Sequence, residues 1–226
     1  MTAANNMEKA KKLSEEGQSL LGAGDHERAL AVFTEAARAF GLAGDIRSQA
    51  SCQRMVADVC LIMKRPEQAL ESCEQTLGLI EKIEDPEMQA QVMANMGLIE
   101  AQSGRSESAV ARFHQSRKLF ESLGKTLCVA QQWGNIGSSY RDMQEYDRAM
   151  ESYHRALPLY EGLGHTMGMA DQYTNTAYIH SMRNELIEAL RLYQKAVPLY
   201  RQAGDIRKAD LTMQNVTALQ SALDVG

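Results

Sequence analysis

Two imidazoles recur forty residues apart, His114 and His154, each directly after an aromatic residue, Phe113 or Tyr153. Stacked imidazoles could ligate a transition metal, but neither has a cysteine or carboxylate at ligand spacing. The pattern therefore predicts no metal site and reads as an exposed helix position. Of the four cysteines, Cys52, Cys60, Cys73 and Cys128, no two form a CxxC pair. They are expected to be free thiols in a reducing compartment, with Cys60 and Cys73 serving as small apolar core residues. No GxSxG, HExxH or phosphate-cradling glycine loop occurs, so the sequence predicts neither catalytic residues nor a cofactor. A set of carboxamides remains: Asn95, Asn135, Asn175 and Asn215, one every forty residues. Asn costs about half a kcal/mol of helix propensity each time it replaces Ala. A carboxamide also offers a donor and an acceptor together, enough to match a peptide's N–H and C=O.

The elements that carry these groups are repeated helices. Ala29, Ala69, Ala109, Ala149 and Ala189 fall forty residues apart. Four positions later stand Phe33, Cys73, Phe113, Tyr153 and Tyr193, and each helix is expected to end near Phe40, Ile80, Phe120, Tyr160 or Tyr200. Gly44, Gly124, Gly164 and Gly204 follow, with Glu84 as the exception. Glycine just past an apolar-periodic run suits the left-handed conformation of a helix C-terminus. A second helix precedes each of these. In "WGNIGSSY", Trp133, Ile136, Gly137 and Tyr140 lie at i, i+3, i+4 and i+7, one helical face. The small residue in that face (Gly17, Ala57, Gly97, Gly137, Ala177) is predicted to let the paired helix approach closely. Pro158 and Pro198, also forty apart, predict a bend inside the second helices of the last two repeats.

"W-x2-I-G-x2-Y…A-x3-Y" at 133–153 closely resembles the tetratricopeptide-repeat pattern, with Ile136 for Leu and Tyr153 for Phe. The forty-residue register and the Gly-Asp junctions at 44–45 and 204–205 are similar to Pins/LGN-type and kinesin-light-chain-type scaffolds. The resemblance implies an all-α fold, a right-handed α-solenoid of antiparallel helix pairs, filling 1–226 as a single domain. Its repeats would span about 7–45, 46–85, 86–125, 126–165 and 166–205, with a capping helix at 206–223 that covers the last repeat. It also implies that the first helices line a concave groove where partners bind.

At ~100° per residue, Asn135 lies about 200° from Trp133 and points away from the packed face. Asn95, Asn135, Asn175 and Asn215 are thus expected to form a ladder along the groove, and the resemblance implies that it captures a peptide main chain. Arg54, Gln91, Leu98, Gln131, Arg141 and Tyr178 would supply specificity, and Met55, Ile62, Leu98, Tyr178 and Met182 would be exposed apolar groups in an empty groove. The expected function is a non-catalytic scaffold for a protein or peptide ligand. The alternative is a self-assembling structural protein that acts through homo-oligomerisation. The net charge of −5 without a basic block argues against nucleic acid. Residues 1–17 lack a secretory apolar segment and no run suits a membrane span, so a cytoplasmic location is expected.

Overall fold

The computed structural model describes residues 2–225, and every regular element among them is a helix. In order these are α1 (Ala3–Gly22), α2 (His26–Ala43), α3 (Ile46–Ile62), α4 (Pro66–Ile80), α5 (Pro86–Gln102), α6 (Ser106–Ser122), α7 (Thr126–Asp142), α8 (Tyr146–Gly162), α9 (Thr166–Met182), α10 (Leu186–Gln202) and α11 (Ile206–Val225). The architecture is an α-solenoid of consecutive antiparallel pairs joined by short turns. Helices α3, α5, α7, α9 and α11 begin at 46, 86, 126, 166 and 206, in strict forty-residue steps. The chain divides into two compact units, one ending at Leu119 and the other beginning at Phe120.

Within the first unit, α1 packs on α2, α2 on α3, and α3 on α4. Phe33, Val56, Val59, Cys60, Cys73 and Ile99 share one buried cluster. Cys60 and Cys73 thus behave as core residues, and burial pushes the Cys73 thiol up to about 12, where it stays protonated and inert. In the second unit α7 packs on α8, α9 on α10, and α10 on α11. Its core is built around Tyr153, Ile136, Tyr160, Tyr193 and Tyr200, all buried.

The small first-helix residue does what its spacing predicts. A Cβ on Gly17 would lie 2.8 Å from the Phe33 ring, and one on Gly97 would lie 2.6 Å from the Phe113 ring. Gly137 stands against Tyr153 in the same way. Each ring occupies the space that a side chain on the facing helix would need, so the two backbones approach closely.

The chain adopts the left-handed conformation every twenty residues. Gly44, Glu84, Gly124, Gly164 and Gly204 do so between pairs, as the C-terminal glycines predict. Gly24, Lys64, Gly104, Gln144 and Asn184 do so within pairs, a second row that its side chains conceal. Asn tolerates this region through its short polar side chain, whereas Gln144, at φ 62°, does not. Gln144→Gly is expected to stabilise the fold by roughly 0.5–1 kcal/mol and raise the thermal midpoint. An unchanged or lowered midpoint in calorimetry would contradict that assignment.

Polar caps close the helix starts. Asp45, Asp85 and Asp205 accept hydrogen bonds from the amides of Ser48, Met88 and Lys208 at 3.0, 3.0 and 2.9 Å. His165 holds the same register and accepts the Gly168 amide through Nδ1 at 3.0 Å. Pro66 and Pro86 stand in the first turns of α4 and α5, where a missing N–H costs nothing. Pro158 and Pro198 lie inside unbroken α8 and α10. Both are exposed, as are His154 and Gln194 four residues earlier, so solvent can satisfy the freed carbonyls.

Candidate functional site

In the first unit, first helices α3 and α5 lie side by side. Arg54 and Asp58 stand one turn apart on α3 and pair at 2.7 Å, while Asn95 on α5 donates its amide to the other Asp58 oxygen. The Arg54 and Asp58 side chains keep about a quarter of their surface, 24% and 25%. Burial pushes the Asp58 carboxyl above its ordinary range, and Arg54 and the Asn95 amide hold it back. Asn95 is therefore committed to an intramolecular bond. Gln91 and Leu98 are half-buried beside it.

The second unit brings more of the expected residues together. Helices α7 and α9 touch, and a depression of about 400 Å³ opens onto them. Gln131, Gly134, Asn135 and Ser138 of α7 line it, with Asn175 of α9 and Lys208 of α11. Asn175 accepts a hydrogen bond from Arg141 at 3.2 Å, and Arg141 also engages Asp142 at 2.9 Å. The Arg141 guanidinium lies 5.8 Å from the centre of the Tyr178 ring, which is 43% exposed. The Asn135 carboxamide forms no hydrogen bond among the described residues, so its donor and its acceptor both remain free at the depression. Beneath it Gln172, only 4% exposed, donates to the Gly168 carbonyl at 3.3 Å while its oxygen has no partner. An unpaired buried amide oxygen costs free energy that a donor entering from outside would recover.

A family model for the tetratricopeptide repeat matches residues 48–122 and 129–202. The chain belongs to the tetratricopeptide-repeat family. Three solved structures show the fold of this tetratricopeptide-repeat chain in other proteins. The STAND protein with a tetratricopeptide repeat sensor from Pyrococcus horikoshii has TM-score 0.81 at 18% identity, over 92% of this chain and 32% of that one. RapI in its apo form has TM-score 0.80 at 16% identity, over 100% of this chain and 65% of that one. A Rap protein complexed with competence and sporulation factor has TM-score 0.67 at 16% identity, over 96% of this chain and 65% of that one. The chain thus spans less than two thirds of the length of each. A sequence comparison with curated proteins found no match.

Of the four asparagines in tetratricopeptide-repeat register, Asn95 and Asn175 are engaged by Asp58 and Arg141, and Asn135 is free. Asn215 is exposed on α11 and is not among the residues around the depression. Ile62, Tyr178 and Met182 are exposed apolar groups as expected, whereas Met55 and Leu98 are half-buried. Lys208 of the last helix also belongs to this face. Its ammonium reaches Asp171 at 2.8 Å and it lines the depression. The Tyr200 hydroxyl donates to the same Asp171 oxygen at 2.8 Å. Gln172 was invisible to periodicity because its register marks it only as a core position. His114 is half-buried and His154 exposed, and no three metal-ligating side chains converge among the described residues. No helix there is long and apolar enough to cross a membrane.

Proposed function

We propose that this chain is a non-catalytic protein-interaction scaffold that holds an extended segment of a partner along its first helices. The observation that carries this reading is the Asn135 carboxamide, unengaged beside Gln131 and Asn175 at the α7–α9 depression. A group that costs helix propensity and makes no internal bond is explained by a ligand that it serves. Asn135 would clamp the ligand's backbone, with Gln131, Arg141 and Tyr178 reading its side chains. Within the first unit, Arg54, Gln91, Asn95 and Leu98 would contact a partner in the same manner, and Asn215 would do so on α11. The Rap neighbour complexed with competence and sporulation factor is a protein of this fold with a bound partner.

The test is a comparative pull-down from the source cell. Wild type is run beside Asn135→Ala, with helicity checked by circular dichroism. A specific partner is expected to be lost, and its purified segment to bind about tenfold more weakly, the worth of one or two hydrogen bonds. An unchanged partner list would remove Asn135 from the mechanism.

Self-association is a second reading, favoured by Ile206 and Leu211 on α11, which are 56% and 51% exposed. Light scattering over a concentration series decides it, because a constant monomer mass excludes this reading.

A further inference from the structure

The junction between α4 and α5 breaks the repeat in three places at once, and a fourth position beside it carries no ring. Helix α4 stops at Ile80, whereas α8 and α10 continue two residues further in register, to Gly162 and Gln202. Glu84 takes the left-handed slot that glycine fills at 44, 124, 164 and 204. Ile80 stands where Phe40, Tyr160 and Tyr200 place rings, and Met93 stands where Trp133 and Tyr173 place rings. The consequence is a pocket of about 560 Å³ with an apolar floor of Leu77, Ile80, Pro86 and Met93. Glu81 and Glu84 stand on its rim, and neither carboxylate makes a side-chain hydrogen bond or ion pair among the described residues.

The second unit shows what such a place holds when it is filled. Tyr173 is the counterpart of Met93, eighty residues on, and Glu161 is the counterpart of Glu81. There the Tyr173 ring packs against the cluster around Tyr200, and its hydroxyl donates to Glu161 at 3.5 Å. The Lys195 ammonium lies 5.6 Å from the ring centre. The same position in the first unit keeps the carboxylate but has lost the phenol. Nothing in that unit can replace it, because all eight tyrosines of the chain lie at or beyond residue 140.

We propose that the α4–α5 pocket receives a tyrosine side chain from a partner protein, presented beside basic residues. The ring would lie on Ile80 and Met93, its hydroxyl would donate to Glu81, and a neighbouring lysine or arginine would face Glu84. The basic flank follows from charge complementarity with two unpaired carboxylates. A tyrosine flanked by acidic residues, such as this chain's own Tyr146 between Glu145 and Asp147, would be repelled. This site is separate from the α7–α9 depression and does not depend on the reading given to Asn135.

The test uses the full chain with labelled isoleucine and methionine methyl groups, observed by NMR. The probes are three blocked tripeptides: Lys-Tyr-Lys, Lys-Ala-Lys and Glu-Tyr-Glu. The Ile80 and Met93 methyls are expected to shift with Lys-Tyr-Lys, while the buried Ile99 methyl stays fixed. Loss of the ring or reversal of the flanking charge should weaken the response about tenfold. Two variants fill the pocket with residues that other repeats carry at these positions: Met93→Tyr, read at Ile80, and Ile80→Phe, read at Met93. Either is expected to abolish the response, and Asn135→Ala to leave it unchanged. The proposal is overturned if Lys-Tyr-Lys moves neither methyl, if Lys-Ala-Lys or Glu-Tyr-Glu moves them equally, or if both filled variants still respond. A concentration-dependent shift without peptide would assign the pocket to a second copy of the chain and overturn it too.

Discussion

Tyr153→Ala is expected to destabilise the second unit by about 3–5 kcal/mol, and to reverse the sign of a second substitution, Gly137→Ala. Tyr153 is fully buried at the centre of the α7–α8 pair. Its ring fills the space above Gly137, and its hydroxyl donates to Ser138 at 3.4 Å. Truncation to Ala removes the ring's contacts and leaves a cavity in a pair of helices already fixed by their short turn. With the ring in place, Gly137→Ala forces a methyl into it, an overpacking cost of about 1–3 kcal/mol. The gain in helix propensity, about 1 kcal/mol, offsets only part of that. Once the ring is gone the overpacking vanishes and the propensity gain remains, so Gly137→Ala should stabilise the Tyr153→Ala protein. Urea denaturation of the four proteins in the cycle should give a coupling of roughly 2 kcal/mol. If Gly137→Ala destabilises both backgrounds equally, close helix approach is not the reason for glycine there.

This contact was legible in the sequence because it depends on a small residue at one spacing from a large one, four times in five repeats, with Ala57 and Cys73 as the exception. The left-handed positions within the pairs were not legible, because Lys64, Gln144 and Asn184 resemble ordinary helix-surface residues. Polar links between neighbouring repeats were hidden for another reason. Arg47 reaches Asp85, Arg65 reaches Glu27, Asn95 reaches Asp58 and Lys208 reaches Asp171, all at separations of 37 or 38 residues. That is one repeat less two or three residues, the offset at which the next repeat lies alongside. A strict forty-residue register aligns like with like and misses it. Asn95 and Asn175 therefore look identical to Asn135 in sequence, yet of these three Asn135 alone is left without a side-chain partner among the described residues. The α4–α5 pocket was half legible: Glu84 was the one exception to the glycine row, but the lost ring at Ile80 and the ring-free Met93 matter only once both face the same space.

Arg54→Ala should show a loss of stability that depends on pH. Arg54 is the ion-pair partner of Asp58, whose other oxygen takes the Asn95 amide. Burial already raises the Asp58 carboxyl from its ordinary 3.8, and Arg54 is the stronger of the two groups that oppose the rise. Without the guanidinium, the folded-state value climbs further above that of the unfolded chain. A carboxyl shifted upward binds its proton more tightly when folded, so its stabilising contribution is complete below about pH 3.8 and is lost as pH rises through the folded value. At pH 7 the variant therefore carries an ionised, half-buried carboxylate with no cation beside it. A fully buried orphan costs about 3–5 kcal/mol, and the quarter of its surface left to Asp58 reduces that to roughly 1–3. Denaturation at pH 7 should show this deficit, and at pH 3.5 the variant should approach wild type. Adding Asp58→Asn should restore most of the loss at pH 7, since a neutral amide needs no counter-ion and its oxygen still accepts from Asn95. A deficit of equal size at both pH values would mean that Arg54 acts through its packing on Met55, not through its charge. The same pairing limits what Arg54 can do for a ligand: an acidic group arriving at α3 must displace Asp58 before it meets a free guanidinium.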